Sequence, residues 1–104
     1  MGRLTVIYWR DIPAQVIGQQ GRRRHRQELP ARFATAIDRA AMRAGRGSSE
    51  AYLEDWRRET RPCAGDVADA VRAEAARLDA SFSQTDLEAV VKAGGHKPNQ
   101  EDPR

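Results

Sequence analysis

Arginine is the residue type in this chain best suited to binding a ligand, and four arginines lie within one short segment. Arg22, Arg23 and Arg24 precede His25, and Arg26 follows it. Arginines exposed on a loop can neutralise phosphates or form paired hydrogen bonds with carboxylates. The segment therefore indicates a site for an acidic protein partner or, as a weaker alternative, for nucleic acid, since it contains no aromatic residue for base stacking. A solvated surface loop without a ligand explains the same residues.

A second candidate for partner binding is Trp9 with Arg10 and Asp11. An Arg-Asp pair beside a tryptophan can form a polar recognition corner. Ile12 and Pro13 follow, and Asp and Pro are typical turn residues, because Asp bonds to backbone amides ahead of it and Pro fixes its own φ. The segment is either a binding corner or a structural turn between two strands.

Metal and catalytic chemistry receive little support from the residue pattern. His25 and His96 lie far apart, and neither has a Cys, an Asp or a second His at ligand spacing. Cys63 is the single cysteine, which excludes an intramolecular disulfide and a cysteine-based zinc cluster within one chain. We therefore expect no metal, no cofactor and no catalytic residue, and whether Cys63 has any role stays open.

Composition and charge restrict the class of protein. The chain has 104 residues, of which 39% are hydrophobic, so we expect one small domain. No apolar stretch reaches the roughly 18 residues that cross a bilayer, and no signal-peptide pattern is visible, so we expect a cytoplasmic protein without membrane contact. Residues 1–61 hold 13 arginines and 7 acidic residues, whereas residues 62–104 hold 5 basic and 8 acidic ones. This polarity can steer an acidic partner, although a coding bias towards arginine explains it as well.

The apolar pattern near the N-terminus indicates two strands. Residues 4–9 and 14–17 are apolar runs separated by a polar break. Strand alternation places Leu4, Val6 and Tyr8 on one face and Thr5, Ile7 and Trp9 on the other. Because both faces carry apolar residues, we expect helices of this chain on one face and a second copy or another protein on the other. The next residues, 18–27, are expected to form a loop or a continuation of the hairpin, exposed and mobile in either case.

Helical spacing and capping residues then predict three to four short helices. The first starts at Pro30, and the second follows Ser48 or Ser49 and places Trp56 in the core beside Tyr52 and Leu53. Asp66 is expected to cap the third helix, and Thr85 and Glu88 are expected to form a capping box for the fourth. The fold class is therefore α+β, with an N-terminal two-stranded antiparallel ribbon packed on these helices. We expect one domain over residues 1–95 and a disordered tail over residues 96–104.

Three segments resemble a small bacterial family labelled as a virulence-factor domain: residues 8–16, 37–42 and 52–56. The chain is also similar to the terminal domain of longer conserved virulence factor C-type proteins, and the likeness extends over residues 3 to about 95. The resemblance implies an accessory protein of one-carbon or corrinoid methyl-transfer enzymes, with no catalytic residue to carry over. We therefore expect a small non-enzymatic interaction protein that binds a protein partner or forms a homo-oligomer. The alternatives are a nucleic-acid-binding regulator that uses residues 22–26, and a subunit that contributes to a shared enzyme site.

Overall fold

The structure is a computed structural model that describes residues 2–97. Its elements are β1 (Gly2–Trp9), β2 (Ile12–Gln20), β3 (Arg23–Glu28), α1 (Ala31–Arg43), α2 (Ser49–Glu54), β4 (Trp56–Cys63), α3 (Val67–Ser81) and α4 (Gln84–Lys92). The strands form one antiparallel sheet in the order β3-β2-β1-β4. The α+β class is confirmed, but the predicted ribbon is only the β1–β2 half of a four-stranded sheet. Within the described residues, no helix is long and apolar enough to cross a membrane.

The two strands absent from the predicted two-stranded ribbon are the edges of the sheet. β3 occupies the segment expected to be a loop or a continuation of the hairpin, and β4 occupies the segment expected to be the end of the second helix. Most side chains of both strands are exposed. Charged side chains and a proline such as Pro62 are tolerated at a sheet edge, because one row of backbone groups there has no strand to pair with.

Helix α3 covers one face of the sheet at very close range. A Cβ atom at Gly18 would lie 2.4 Å from Cγ1 of Val67 and 2.7 Å from Cγ2 of Val71. Glycine in β2 therefore permits the helix to approach the backbone of the strand. The apolar residues Leu4, Val6 and Val16 are buried on this side of the sheet.

The helix caps agree with the sequence prediction in three cases and differ in the fourth. Ser48, one of the two serines expected to cap the second helix, accepts a hydrogen bond from the Ala51 N–H at 3.3 Å. Helix α1 follows Pro30, and the side chain of Asp66 accepts a hydrogen bond at the start of α3, both as predicted. Helix α4 is instead capped by Ser83 with Asp86 in a capping box. The predicted box at Thr85 is therefore wrong by two residues, because α4 starts directly after the buried Phe82.

The two tryptophans have different positions from those that the sequence predicts. Trp9 has no exposed surface, its ring stacks on Tyr52 with centroids 5.9 Å apart, and its Nε1 donates a hydrogen bond to the Tyr52 carbonyl at 2.9 Å. Trp56 is only half-buried and begins β4, because α2 ends at Glu54. Leu53 is 65% exposed. The prediction of Trp56 as an anchor within the second helix is therefore wrong, and Trp9 has the central position.

The turn between β1 and β2 connects to the C-terminal end of the described chain. The backbone N–H of Asp11 donates to the carbonyl of Gly95 at 2.8 Å, and the N–H of Lys97 donates to Oδ2 of Asp11 at 2.8 Å. Residues 98–104 of the predicted tail lie outside the described residues. The domain boundary at residue 95 stays a prediction, although Lys97 still contacts the body of the protein.

Candidate interaction surface

The helices leave much of the second sheet face uncovered within residues 2–97. Strand register arranges this face in cross-strand rows: Arg3, Gln19 and Arg24; then Thr5, Ile17, Arg26 and Thr60; then Ile7, Gln15, Glu28 and Arg58. We call these eleven residues the open face. Thr5 and Ile7 remain partly exposed there, whereas Trp9, which shares their side of β1, is covered by α2 and by Gly95. The predicted second face is thus only partly covered by the chain itself.

The arginines of the open face differ from most others in their electrostatic partners. Eight arginines elsewhere form ion pairs with carboxylates: Arg10, Arg32, Arg39, Arg46, Arg57, Arg61, Arg72 and Arg77. Among the described residues, Arg3, Arg24, Arg26 and Arg58 have no carboxylate within 4.0 Å. Charge that is not neutralised within the protein creates a positive potential that attracts anionic groups.

Three of these arginines surround a polar depression of about 230 Å³. Arg3, Arg24 and Arg58 line it together with both threonines of the middle row, Thr5 and Thr60. The two threonine hydroxyls hydrogen-bond to each other at 2.9 Å. Two hydroxyls carry two protons, and their mutual bond uses one, so one proton stays available to a further acceptor.

The opposite end of the open face is acidic and aromatic. A depression of about 190 Å³ there is lined by Glu28, Asp38, Tyr52 and Trp56, among others. Neither Glu28 nor Asp38 forms an ion pair with another described residue. Burial raises the pKa of Tyr52, and the nearby Asp38 carboxylate raises this pKa further. The surface therefore has a basic end and an acidic end.

The structure divides the predicted arginine cluster between two sides of a strand. Arg22 lies in the turn before β3, and strand alternation places Arg24 and Arg26 on the open face. Arg23 and His25 point to the other side, where His25 is paired with Gly18 beneath α3. Of the two alternatives for residues 18–27, the hairpin continuation agrees with the structure and the loop does not, because these residues extend β2 and form β3. Only part of the cluster can therefore contact the same partner.

Internal contacts occupy the other predicted partner residues. Trp9 is completely buried and offers no surface. Arg10 adopts a left-handed conformation with φ of 54°, donates from Nη1 to the Gly94 carbonyl at 2.9 Å and pairs with Asp55 at 3.3 Å. The side chain of Asp11 also pairs with an arginine of β4 at 3.3 Å. These contacts favour the structural-turn alternative over the binding corner, and partner binding by Arg10 and Asp11 stays a prediction.

The titratable residues considered for catalysis or metal binding are not brought together. His25 lies in β3, whereas His96 lies 3.8 Å from Asp11 near the other end of the chain. No group of three potential metal ligands occurs in the part of the chain that the structure describes. Cys63 ends β4, is 7% exposed, and its Sγ lies 3.6 Å from the Ala64 carbonyl oxygen. Its thiol is therefore covered by the protein.

A second charged cluster lies beside β4, and each of its arginines has a carboxylate partner. Glu74 of α3 is 5% exposed and receives hydrogen bonds from Arg61 at 3.0 Å and from Arg77 at 3.1 Å. The Arg77 hydrogen bond lowers the pKa of Glu74 most strongly, burial opposes this shift, and the hydrogen bond from Arg61 adds to the lowering. The two arginines share one carboxylate, in contrast to the arginines of the open face.

Sequence reasoning missed three residues of the basic depression: Arg3, Arg58 and Thr60. Arg58 and Thr60 belong to the segment that was expected to be the end of a helix. Their two-residue spacing in β4 is the signal that places them on one face. That signal is weak, because Glu59 and Arg61, which alternate with them along the strand, are also polar.

Comparison with known proteins gives one result. A family model described as "Virulence factor" matches residues 7–91, which is most of the chain. No curated protein and no solved structure matches the chain. The matched region contains α1, α2 and α3 completely, α4 except for Lys92, and nine of the eleven residues of the open face, since Arg3 and Thr5 precede it.

Proposed function

Because the chain belongs to the virulence factor family, whose name specifies no reaction, we propose a function from its surfaces: it is a non-enzymatic accessory protein whose open face binds an acidic region of a partner protein. The observation that carries this proposal is the set of four unpaired arginines on a sheet face that the helices leave uncovered.

The charges of the open face support an anionic partner. Arg3, Arg24, Arg26 and Arg58 outnumber its single acidic residue, Glu28. Arginine forms two parallel hydrogen bonds with a carboxylate, so an acidic protein surface matches this pattern. Unlike the paired arginines of α3, these four have no carboxylate within 4.0 Å among the described residues, so an acidic partner would supply their counter-charge. We expect the association to weaken as salt increases, since exposed charges are screened.

The centre of the open face supplies an apolar contact for a protein interface. Ile7 is partly exposed there, beside Ile17, which is 9% exposed on the neighbouring strand, and arginine lies on both edge strands. An apolar centre surrounded by polar residues is the usual arrangement of a protein interface. This arrangement supports a protein partner more than nucleic acid, because sheets that bind single strands present exposed aromatic residues for stacking, and the eleven residues of the open face include none.

The resemblance supports a finer proposal about the identity of the partner. The resemblance implies an accessory role for one-carbon and corrinoid methyl-transfer enzymes, so we propose such an enzyme as the protein that the open face binds. The identity of a protein captured from the natural host tests this finer proposal separately from the binding surface.

Affinity capture with matched variants tests the proposal. The tagged full chain is compared with two variants that change the open face, Ile7→Lys and Arg26→Glu. The control is Arg43→Glu, which changes an arginine of α1 that also lacks an ion pair among the described residues. We expect one host protein, identified by mass spectrometry, to bind the parent and Arg43→Glu but neither open-face variant. Circular dichroism checks that all variants are folded.

Two results would contradict the proposal. If the open-face variants retain every partner that the parent binds, the open face is not the docking surface. If Arg43→Glu loses the partner to the same extent, net charge rather than this surface controls binding. A captured nucleic acid with a steep salt dependence would instead support the regulator alternative.

A further inference from the structure

The polar depression at the basic end of the open face has the chemistry of an oxyanion site. Arg3, Arg24 and Arg58 contribute three guanidinium groups from three different strands, and Gln19 adds a side-chain amide. Each guanidinium offers several N–H donors in a planar array. The depression therefore collects donors and positive charge in about 230 Å³.

Nothing within the described protein uses this charge. The three arginines have no carboxylate within 4.0 Å, whereas Arg57 and Arg61, their neighbours on β4, both have one. Like charges held around one depression repel each other, and a bound anion removes this repulsion. The arrangement therefore favours a ligand with more than one negative charge.

The threonine pair beneath the arginines adds a directional donor. Thr5 and Thr60 are directly opposite each other on β1 and β4, and their hydroxyls are 2.9 Å apart. One hydroxyl proton stays free, and it can be donated to an oxygen of the ligand. A carboxylate needs only one arginine for its two oxygens, whereas a phosphate group offers three oxygens and close to two charges.

We propose that the depression formed by Arg3, Arg24, Arg58 and the Thr5–Thr60 pair binds the phosphate group of a phosphate monoester. The proposal deepens the proposed function and rests on it, since it names the group that the basic end of the open face takes. No aromatic residue lines the depression, so it recognises the phosphate rather than a nucleobase. The ester is either part of the docked protein, as a phosphorylated serine or threonine, or a free small molecule.

Titration of the ¹⁵N-labelled full chain with sodium phosphate tests the site. Ionic strength is held constant with sodium chloride, and the Nε–Hε signals of the arginines are followed by NMR. We expect saturable shifts that Arg24→Gln and Arg58→Gln each weaken about tenfold, the size of a lost charge-assisted hydrogen bond. Thr60→Val removes one hydroxyl and is expected to weaken binding by a smaller factor. Arg43→Gln removes an arginine outside the depression that has no ion pair among the described residues and whose Nε donates to the Lys92 carbonyl at 3.2 Å, and we expect this variant to bind phosphate as the parent does.

Two further ligands separate the sources of the phosphate. Binding of a phosphoserine peptide more tightly than both inorganic phosphate and its unphosphorylated form supports a phosphorylated partner. Equal binding of phosphoserine peptide, glycerol phosphate and inorganic phosphate supports a free ester.

Three results would overturn the inference. They are shifts that do not saturate, equal weakening by Arg43→Gln, and tighter binding of single-stranded DNA than of any monoester. Arg26 does not line the depression, so loss of partner capture in Arg26→Glu together with normal phosphate binding distinguishes the docking surface from the phosphate site.

Discussion

The close approach of α3 to β2 predicts a measurable conflict in Gly18→Ala. The new Cβ would lie 2.4 Å from Val67 and 2.7 Å from Val71, whereas non-bonded carbons prefer about 3.5–4.0 Å. One of the two elements must therefore move by about 1 Å. β2 is held between β1 and β3, so the displacement falls on α3. Extra atoms in a packed core cost about 1–3 kcal/mol, and two simultaneous clashes place Gly18→Ala at about 2–3 kcal/mol.

A second substitution tests the origin of this cost. Val67 is 2% exposed, and Val67→Ala removes two buried methyl groups, which costs about 1.5 kcal/mol. It also removes the nearer of the two clashing side chains. If the costs were independent, the double variant would lose about 4 kcal/mol. We expect instead a loss of about 2 kcal/mol, that is, a coupling of about 2 kcal/mol between the two positions.

Urea unfolding followed by circular dichroism measures all four proteins, and an unchanged m-value shows that only stability differs. Gly21→Ala is the matched control. Gly21 has a φ of +60°, but no atom lies within 4 Å of its added Cβ, so we expect about 1 kcal/mol of conformational cost and no coupling to Val67→Ala. Additive effects of Gly18→Ala and Val67→Ala would refute the packing argument.

Two further predictions concern Trp9 and Glu74. Trp9→Ala should cost about 3–5 kcal/mol, because the ring is fully buried, while Trp56→Ala should cost about half as much or less because Trp56 is half-buried; equal losses in thermal unfolding would contradict this order. Hydrogen bonds from two arginines lower the pKa of Glu74 in the folded state. The Glu74 carboxylate therefore stabilises the folded state at pH values above the unfolded pKa of about 4.3, and this contribution is lost as pH falls through the lower folded pKa. The stability difference between the parent and Glu74→Gln should therefore be constant near pH 7 and shrink below about pH 4, and a difference that does not depend on pH would show that the charge of Glu74 contributes nothing.

The predictable part of the fold is the part where burial alternates with exposure. Helices α1 and α3 have apolar stripes at helical spacing, and their starts at Pro30 and Asp66 follow from local backbone chemistry. Edge strands lack such a contrast, because both of their faces carry polar residues. In β4, Arg57 and Glu59 alternate with Arg58 and Thr60, so hydropathy contains no period of two. Strand pairing with β1 then determines the structure of this segment, and that information is not local.

For the candidate surface, the sequence predicts the residue types but not their arrangement in space. The arginines of residues 22–26 were recognised as possible ligands for an anion, but their division between two sheet faces depends on the pairing of His25 with Gly18. Arg3 and Arg58 line one depression only because β4 returns to pair with β1 after two helices. A contact between residues so distant in sequence cannot be read from spacing.

The central position of β1 has a consequence for synthesis of the protein on the ribosome. β1 emerges from the ribosome well before its neighbour β4 and before Gly95, the glycine that covers Trp9. The apolar residues of β1 therefore stay without their final contacts until almost the whole described chain has left the exit tunnel. Since domains fold as units during synthesis, we expect ribosome-bound chains that stop before Gly95 to be far more sensitive to protease than the released protein.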